Sequence, residues 1–168
     1  TGERTVLFDA GSGAGFMPSA GTMLDSLDAA GIDASDVTDV VFTHAHPDHL
    51  WGILDDFDDP VFPGANLMMG QVEWDYWTDP DTVNTIGEVR AGFAVGAARR
   101  LDAIADQITL ITGGQEILPG VMTHDTPGHT PGHMSFELRD GTEAVMVGGD
   151  AVAVTPLEPI FTALAPDN

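Results

Sequence analysis

Cysteine is absent from the 168-residue chain. That absence excludes disulfides, thiolate nucleophiles and Cys-ligated metal sites together, so any metal must be held by nitrogen and oxygen donors. Lysine is absent too: five arginines stand against 27 acidic residues, for a formal charge of −22. With no basic patch to neutralise phosphates, nucleic acid and anionic membrane surfaces are excluded as partners. Such a surface serves solubility and suits high salt, and its field draws divalent cations. Long apolar runs are also missing, none approaching the ~18–20 residues of a membrane helix. The opening "TGERTVLFDA" lacks the basic-then-apolar layout of a signal peptide. The expectation is a soluble protein, either cytoplasmic or processed and periplasmic.

What is present fits one domain over residues 1–168, with a hydrophobic content of 43 %. "RTVLFDAG" (4–11) reads as a buried strand entering a glycine-rich turn. "GSGAG" does not meet the G-x-G-x-x-G spacing of a dinucleotide loop. "SAGTMLDSLDAAG" reads as a helix with Ser19 as its cap and Gly31 as its stop. "VTDVVFTH" is a second strand that ends at His44. "NLMMG" follows as a strand and "QVEWDYW" as a helical turn. From about Asn84 to Asp106 the apolar residues Ile86, Val89, Phe93, Ala97, Leu101 and Ile104 recur at helical spacing, predicting one amphipathic helix. "QITLIT", "EILPGVMTH", "GHMSFELRD" and "TEAVMVGGD" then read as strands.

The chain owns six histidines, and "THAHPDHLWG" (43–52) holds three of them. His44 and His46 alternate on an extended segment, so both rings point one way and can chelate one ion. Asp48 and His49 lie beyond Pro47, which bends the chain and can turn them toward a second ion. "HDTPGHTPGH" carries His124, His129 and His133 on tight Pro-Gly turns. Asp150, at the end of "AVMVGGD", is a carboxylate able to bridge two cations. A reading in which these histidines are structural and bind nothing stays open at this point, and metal analysis separates it from the others.

"HAHPDH", then "TPGHTPGH", then a hydrophobic strand ending in "GGD", together resemble the metallo-β-lactamase-fold hydrolase superfamily, with "LFDAG" similar to its early strand and turn. The resemblance implies an α/β αββα sandwich, and two divalent metal ions, Zn before Mn, Fe or Co. It assigns His44, His46 and His129 to the first ion, Asp48 and His49 to the second, and Asp150 to both. His133 is expected to support a ligand, and His124 receives no role. Family members usually supply a further histidine from a C-terminal segment, which this chain does not show after Asp150, so the fold is expected to be incomplete at its C-terminus.

Position 46 is histidine, which disfavours the flavodiiron branch; without cysteine, the β-lactamases that use a Cys ligand are excluded. The middle segment most resembles the methyl parathion hydrolase-like and lactonase group. The implied function is a dinuclear metal-dependent hydrolase that uses a metal-bound hydroxide to cleave a small hydrophobic ester, lactone or phosphotriester, a small-molecule substrate. Asp150 would hold the nucleophile, and Asp48 would relay a proton to the leaving alkoxide. Trp51, Trp74, Tyr76 and Trp77 are candidates to line the cleft, against an ordinary packing role. The alternative is a metal-binding but catalytically silent domain that needs a partner or a further segment. Family analogy alone suggests a homodimer.

Overall fold

The computed structural model describes residues 4–152; the remainder of the single domain expected over 1–168 lies outside the described residues. Two four-stranded sheets pack face to face. The first is all parallel, in the order β1 (Val6–Phe8), β2 (Asp39–Val41), β3 (Asn66–Gly70), β4 (Ile108–Ile111). Helices fill the crossovers: α1 (Met23–Ala29) before β2, α2 (Pro47–Leu50) before β3, and α3 (Gln71–Thr78), α4 (Thr82–Thr85) and α5 (Ala91–Ile104) before β4. The second sheet is an antiparallel meander of β5 (Glu116–Leu118), β6 (Val121–Asp125), β7 (Met134–Asp140) and β8 (Glu143–Val147).

Strand alternation sorts the core into two parts. Val40, Leu67 and Met69 face the helices and meet Ala94, Ala97, Leu101, Ile104 and Trp77. Their neighbours Val41 and Met68 face the other way, with Ile111, and meet Leu118, Val121, Met134 and Phe136 of the second sheet. Parallel strands covered on both faces must be apolar throughout, which is why "VVF" and "LMM" read as unbroken runs. The α/β class is as expected. Among the described residues the layers are helix, sheet, sheet: no helical residue joins the inter-sheet cluster, and Met146 of β8 stays exposed.

Three local expectations differ in detail. Ser19 does not cap α1; Thr22 stands at its N-cap without a side-chain bond. The single helix over 84–106 is broken, because Gly87 adopts φ +95, a conformation open to glycine and closed to a continuing helix. A 3-10 turn (Glu88–Arg90) then leads into α5. "EILPGVMTH" folds as two strands about Pro119 and Gly120.

Candidate metal centre

Parallel strands share one carboxyl end, so the loops after β1, β2 and β3 open on the same side of the sheet. The second sheet brings the start of β7 and the end of β8 to that side. After β2 the chain stays extended through His46 (φ −64, ψ 159), and Pro47 then starts α2 at its first turn, where a missing N–H costs nothing. Extended backbone puts His44 and His46 on one side; the helical turn carries Asp48 and His49 around to the next.

His44 Nε2 lies 3.1 Å from His46 Nδ1, which lies 2.8 Å from His129 Nε2. These three residues form one group of converging donors, and His44, His49 and Asp150 form a second that shares His44. Asp150 reaches toward both, Oδ1 at 3.6 Å from His49 Nε2 and Oδ2 at 3.2 Å from His129 Nε2. Asp48 stands at the rim, its side chain 57 % exposed and its Oδ2 3.6 Å from His49 Nε2; it joins neither three-donor group. All six residues singled out in the sequence therefore lie in one neighbourhood, drawn from three stretches of chain.

Hydrogen bonds set which ring nitrogens carry lone pairs. Asp9, at the end of β1 with φ +62, accepts from the Thr43 amide (2.7 Å), the Thr43 hydroxyl (2.8 Å) and His49 Nδ1 (2.8 Å). Thr43 Oγ1 spends its one proton on Asp9, so at 2.9 Å it accepts from His44 Nδ1–H. The lone pair of His44 is thereby left on Nε2, the nitrogen facing His46. His49 donates through Nδ1, which leaves Nε2 facing the two acids.

His133 is 1 % exposed. The Asp150 amide donates to its Nε2 (3.0 Å), so Nδ1 bears the proton and donates to Thr126 Oγ1 (2.8 Å). A side chain at Gly149 would place its Cβ 2.8 Å from both His133 Nε2 and Thr43 Cβ, so the second glycine of "GGD" is a steric requirement. His124 lies away from the cluster, on the outer face of the second sheet, paired with Glu137.

Burial and the neighbouring rings of His49, His46 and His129 hold the His44 imidazolium far below the usual histidine range. Burial, followed by the charge of His129, pushes His46 down to about 4. Burial also lowers His133. His49 moves up: desolvation opposes protonation, yet the Asp9 bond and the charges of Asp9, Asp48 and Asp150 outweigh it. His44 and His46 are thus neutral at physiological pH, the form in which an imidazole can bind a cation without first shedding a proton.

Three residues central to this arrangement escaped sequence reasoning. Asp9 carries a signal like the one that exposed Asp150, an acid closing an apolar strand at a glycine-bearing turn, and could have been found by it. Thr43 and Glu73 carry no such signal. Glu73, in the first turn of α3, is fully buried; desolvation pushes its carboxyl up, against four hydrogen bonds that pull down. Of the aromatic candidates, Trp77 is a core residue, 1 % exposed, because α3 turns it onto the first sheet where its Nε1–H meets Glu73. Trp74 and Tyr76 pack half-buried on the same core. Trp51 stands edge-on to Phe16 (5.8 Å), which meets Phe93 (6.2 Å), which meets the His46 ring (6.0 Å). An aromatic wall therefore runs up to the cluster, in which Phe16 and Phe93 join the expected Trp51, while the expected Trp77, though buried, also stands edge-on to the His46 ring at 5.5 Å.

A family model described as the Metallo-beta-lactamase superfamily matches residues 1–163. The chain is 34 % identical over 113 residues to YobT of Bacillus subtilis (strain 168), covering 67 % of this chain and 45 % of that protein. It is 31 % identical over 118 residues to the N-acyl homoserine lactonase AttM of Agrobacterium fabrum (strain C58), covering 69 % and 41 %. Among solved structures it is similar to AidC, described as a dizinc quorum-quenching lactonase, with a TM-score of 0.80 and 28 % identity over 87 % of this chain and 52 % of that one. The chain thus spans less than half the length of these curated relatives and about half of that solved structure.

Proposed function

Because the chain belongs to the metallo-beta-lactamase superfamily, we propose that it is a metal-dependent hydrolase of small, neutral, hydrophobic esters, with lactones as the favoured class. The observation that carries this reading is the convergence of the His44, His46, His129 group and the His44, His49, Asp150 group around a shared imidazole. The donor set fits divalent cations. Imidazole nitrogens about 2 Å from one tetrahedral ion sit roughly 3.3 Å apart, close to the spacings of 2.8 and 3.1 Å here. His44, His46 and His129 would hold the first ion, His49 and Asp48 the second, and Asp150 both.

Cations held there supply Lewis acidity and a low pKa for bound water. The chain's own residues supply the rest. Asp9 and Thr43 fix the lone pairs of His44 and His49. Asp150, on the solvent side and anchored through its amide to His133, holds the attacking water with a carboxylate oxygen. Asp48, exposed at the rim, relays the proton to the alkoxide that departs when the acyl C–O bond breaks. The aromatic wall of Phe93, Phe16 and Trp51 offers an apolar seat for the substrate. A surface of −22 disfavours anionic substrates. The lactone preference rests on AttM and AidC, both named lactonases.

The test is zinc content followed by turnover of an N-acyl lactone, a p-nitrophenyl ester and a phosphotriester. Expected are tightly held zinc and fastest turnover of the lactone. His46→Ala should lose the metal and the activity, whereas His124→Ala, on the far face of the second sheet, should keep both. Purified protein that takes up no added zinc would overturn the reading, and so would a fully active His46→Ala.

A further inference from the structure

The proposed reaction leaves a buried acid beside the histidine loops unused. Glu73 is 0 % exposed, and its carboxylate accepts four hydrogen bonds. Oε1 takes the Ala45 amide (2.9 Å) and the Trp77 indole N–H (2.6 Å). Oε2 takes the Thr130 hydroxyl (2.7 Å) and the Gly132 amide (3.0 Å). Ala45 lies between His44 and His46; Thr130 and Gly132 follow His129. The two loops are 83 residues apart in sequence at their nearest ring contact, His46 to His129. Among the described residues this one side chain bonds to the backbone or hydroxyl next to all three imidazoles. Every partner is a neutral donor, and no arginine or histidine pairs with Glu73 among the described residues.

A carboxylate offers about four acceptor sites and no donor, so the ionised form saturates this cage and no other side chain of its size does. Burying an acid without a cation is costly, and a fold that needed only to pack α3 would place an apolar residue there. The charge is compensated if cations bind to the histidines on the other side of the loops.

We infer that Glu73 is a positioning residue: its carboxylate clamps the His44–His46 loop to the His129 loop and so sets the spacing of the three imidazoles toward a divalent cation. The inference rests on the hydrolase reading above for the metal, and on the present geometry for everything else. Glu73→Gln is the sharpest test. The amide nitrogen must face either Ala45 and Trp77 or Thr130 and Gly132, setting donor against donor on one loop and freeing it.

Zinc affinity by competition with a chromogenic chelator, and thermal midpoints with and without zinc, are measured on wild type, Glu73→Gln, Glu73→Asp and Thr130→Val. Glu73→Gln should bind zinc about 10- to 100-fold more weakly, and its zinc-induced rise in midpoint should shrink. Glu73→Asp keeps the charge but is one methylene short of spanning both loops, so it should not restore affinity. Thr130→Val removes one donor from one side in nearly the same volume, and should weaken zinc in the same direction by less. It serves as the second variant if Glu73→Gln fails to fold. A purely structural glutamate would lower the metal-free midpoint and leave both zinc affinity and the zinc-induced increment at wild-type values in every variant; that result overturns the inference. Failure of wild type to bind zinc would instead overturn the hydrolase reading, so the two failures are distinguishable.

Discussion

Asp9 controls two imidazoles with one carboxylate. One oxygen takes the Thr43 amide, and the other shares the Thr43 hydroxyl and His49 Nδ1. Its influence reaches His44 through the hydroxyl of Thr43. In Asp9→Asn one of those oxygens becomes a donor, so either the Thr43 amide or the pair of Thr43 and His49 loses its acceptor. Zinc affinity should fall about 10-fold or more, measured by chelator competition, and unchanged affinity would remove Asp9 from the site. Protons act at the same scale. His46 titrates near 4 when folded and near 6.5 when unfolded. Between those values the unfolded chain binds more protons, so stability falls as pH drops through the window and is complete above it. The shift is worth about 3 kcal/mol at most. His49, whose folded value is raised, acts oppositely and above 6.5: its contribution is full below the unfolded value and lost as pH climbs through the folded one. Urea midpoints of chelator-treated protein should therefore drop between about pH 7 and pH 4.5, and drop less in His46→Asn. His44 and His133, also lowered, add to the loss in both proteins, and equal losses would show that His46 contributes nothing to it.

Among the elements, α5 shows how a helix serves the site at a distance. Gly96 faces the Trp51 ring so closely that an added Cβ would lie 2.2 Å from Cζ2, while Arg100, one turn on, lies over the same ring at 4.3 Å and donates to Trp51 O. Gly96→Ala gains up to ~1 kcal/mol of helix propensity but overpacks a crowded contact at about 1–3 kcal/mol. Overpacking should win: the thermal midpoint falls and tryptophan fluorescence shifts as Trp51 is displaced, whereas a stabilised variant would show that the ring yields freely. The helix also marks where sequence reading stops. Its apolar stripe was legible from Phe93 to Ile104, and its start was not, because Val89 and Ile86 continue the spacing across a break that only the backbone of Gly87 reveals. The strands were legible wherever both faces are buried, as in β2 and β3. At the site, residues that announce themselves by local spacing, the histidines and the acid after "GG", were legible. Asp9 and Glu73 act through hydrogen bonds to residues 28 to 59 positions away, Thr43 orients its neighbour His44 only because Asp9, 34 positions back, takes its hydroxyl proton, and a single sequence carries no record of such pairings.

For the molecule as a whole the dominant fact is charge. Three of the five arginines are already spent on carboxylates: Arg4 on Asp39, Arg99 on Asp58 and Arg139 on Glu137. Arg100 is committed to Trp51. The acid excess of −22 is therefore left to repel itself across the surface, as where Asp55, Asp56 and Asp59 share one turn with the paired Asp58. Unfolding moves these charges apart, so repulsion destabilises the folded state at low ionic strength. Sodium chloride should reverse this. Screening shortens from ~30 Å at 0.01 M to ~10 Å at 0.1 M and ~3 Å at 1 M, so most of the gain must come below about 0.3 M. A general strengthening of apolar burial would instead grow steadily to molar concentrations and be larger for sulfate. Urea midpoints in chelator-treated protein, with metal effects thus removed, should climb steeply and then level off with added chloride. A midpoint that stays flat below about 0.3 M would mean that the surface acids are too far apart, or too well hydrated, for their repulsion to weigh on the fold.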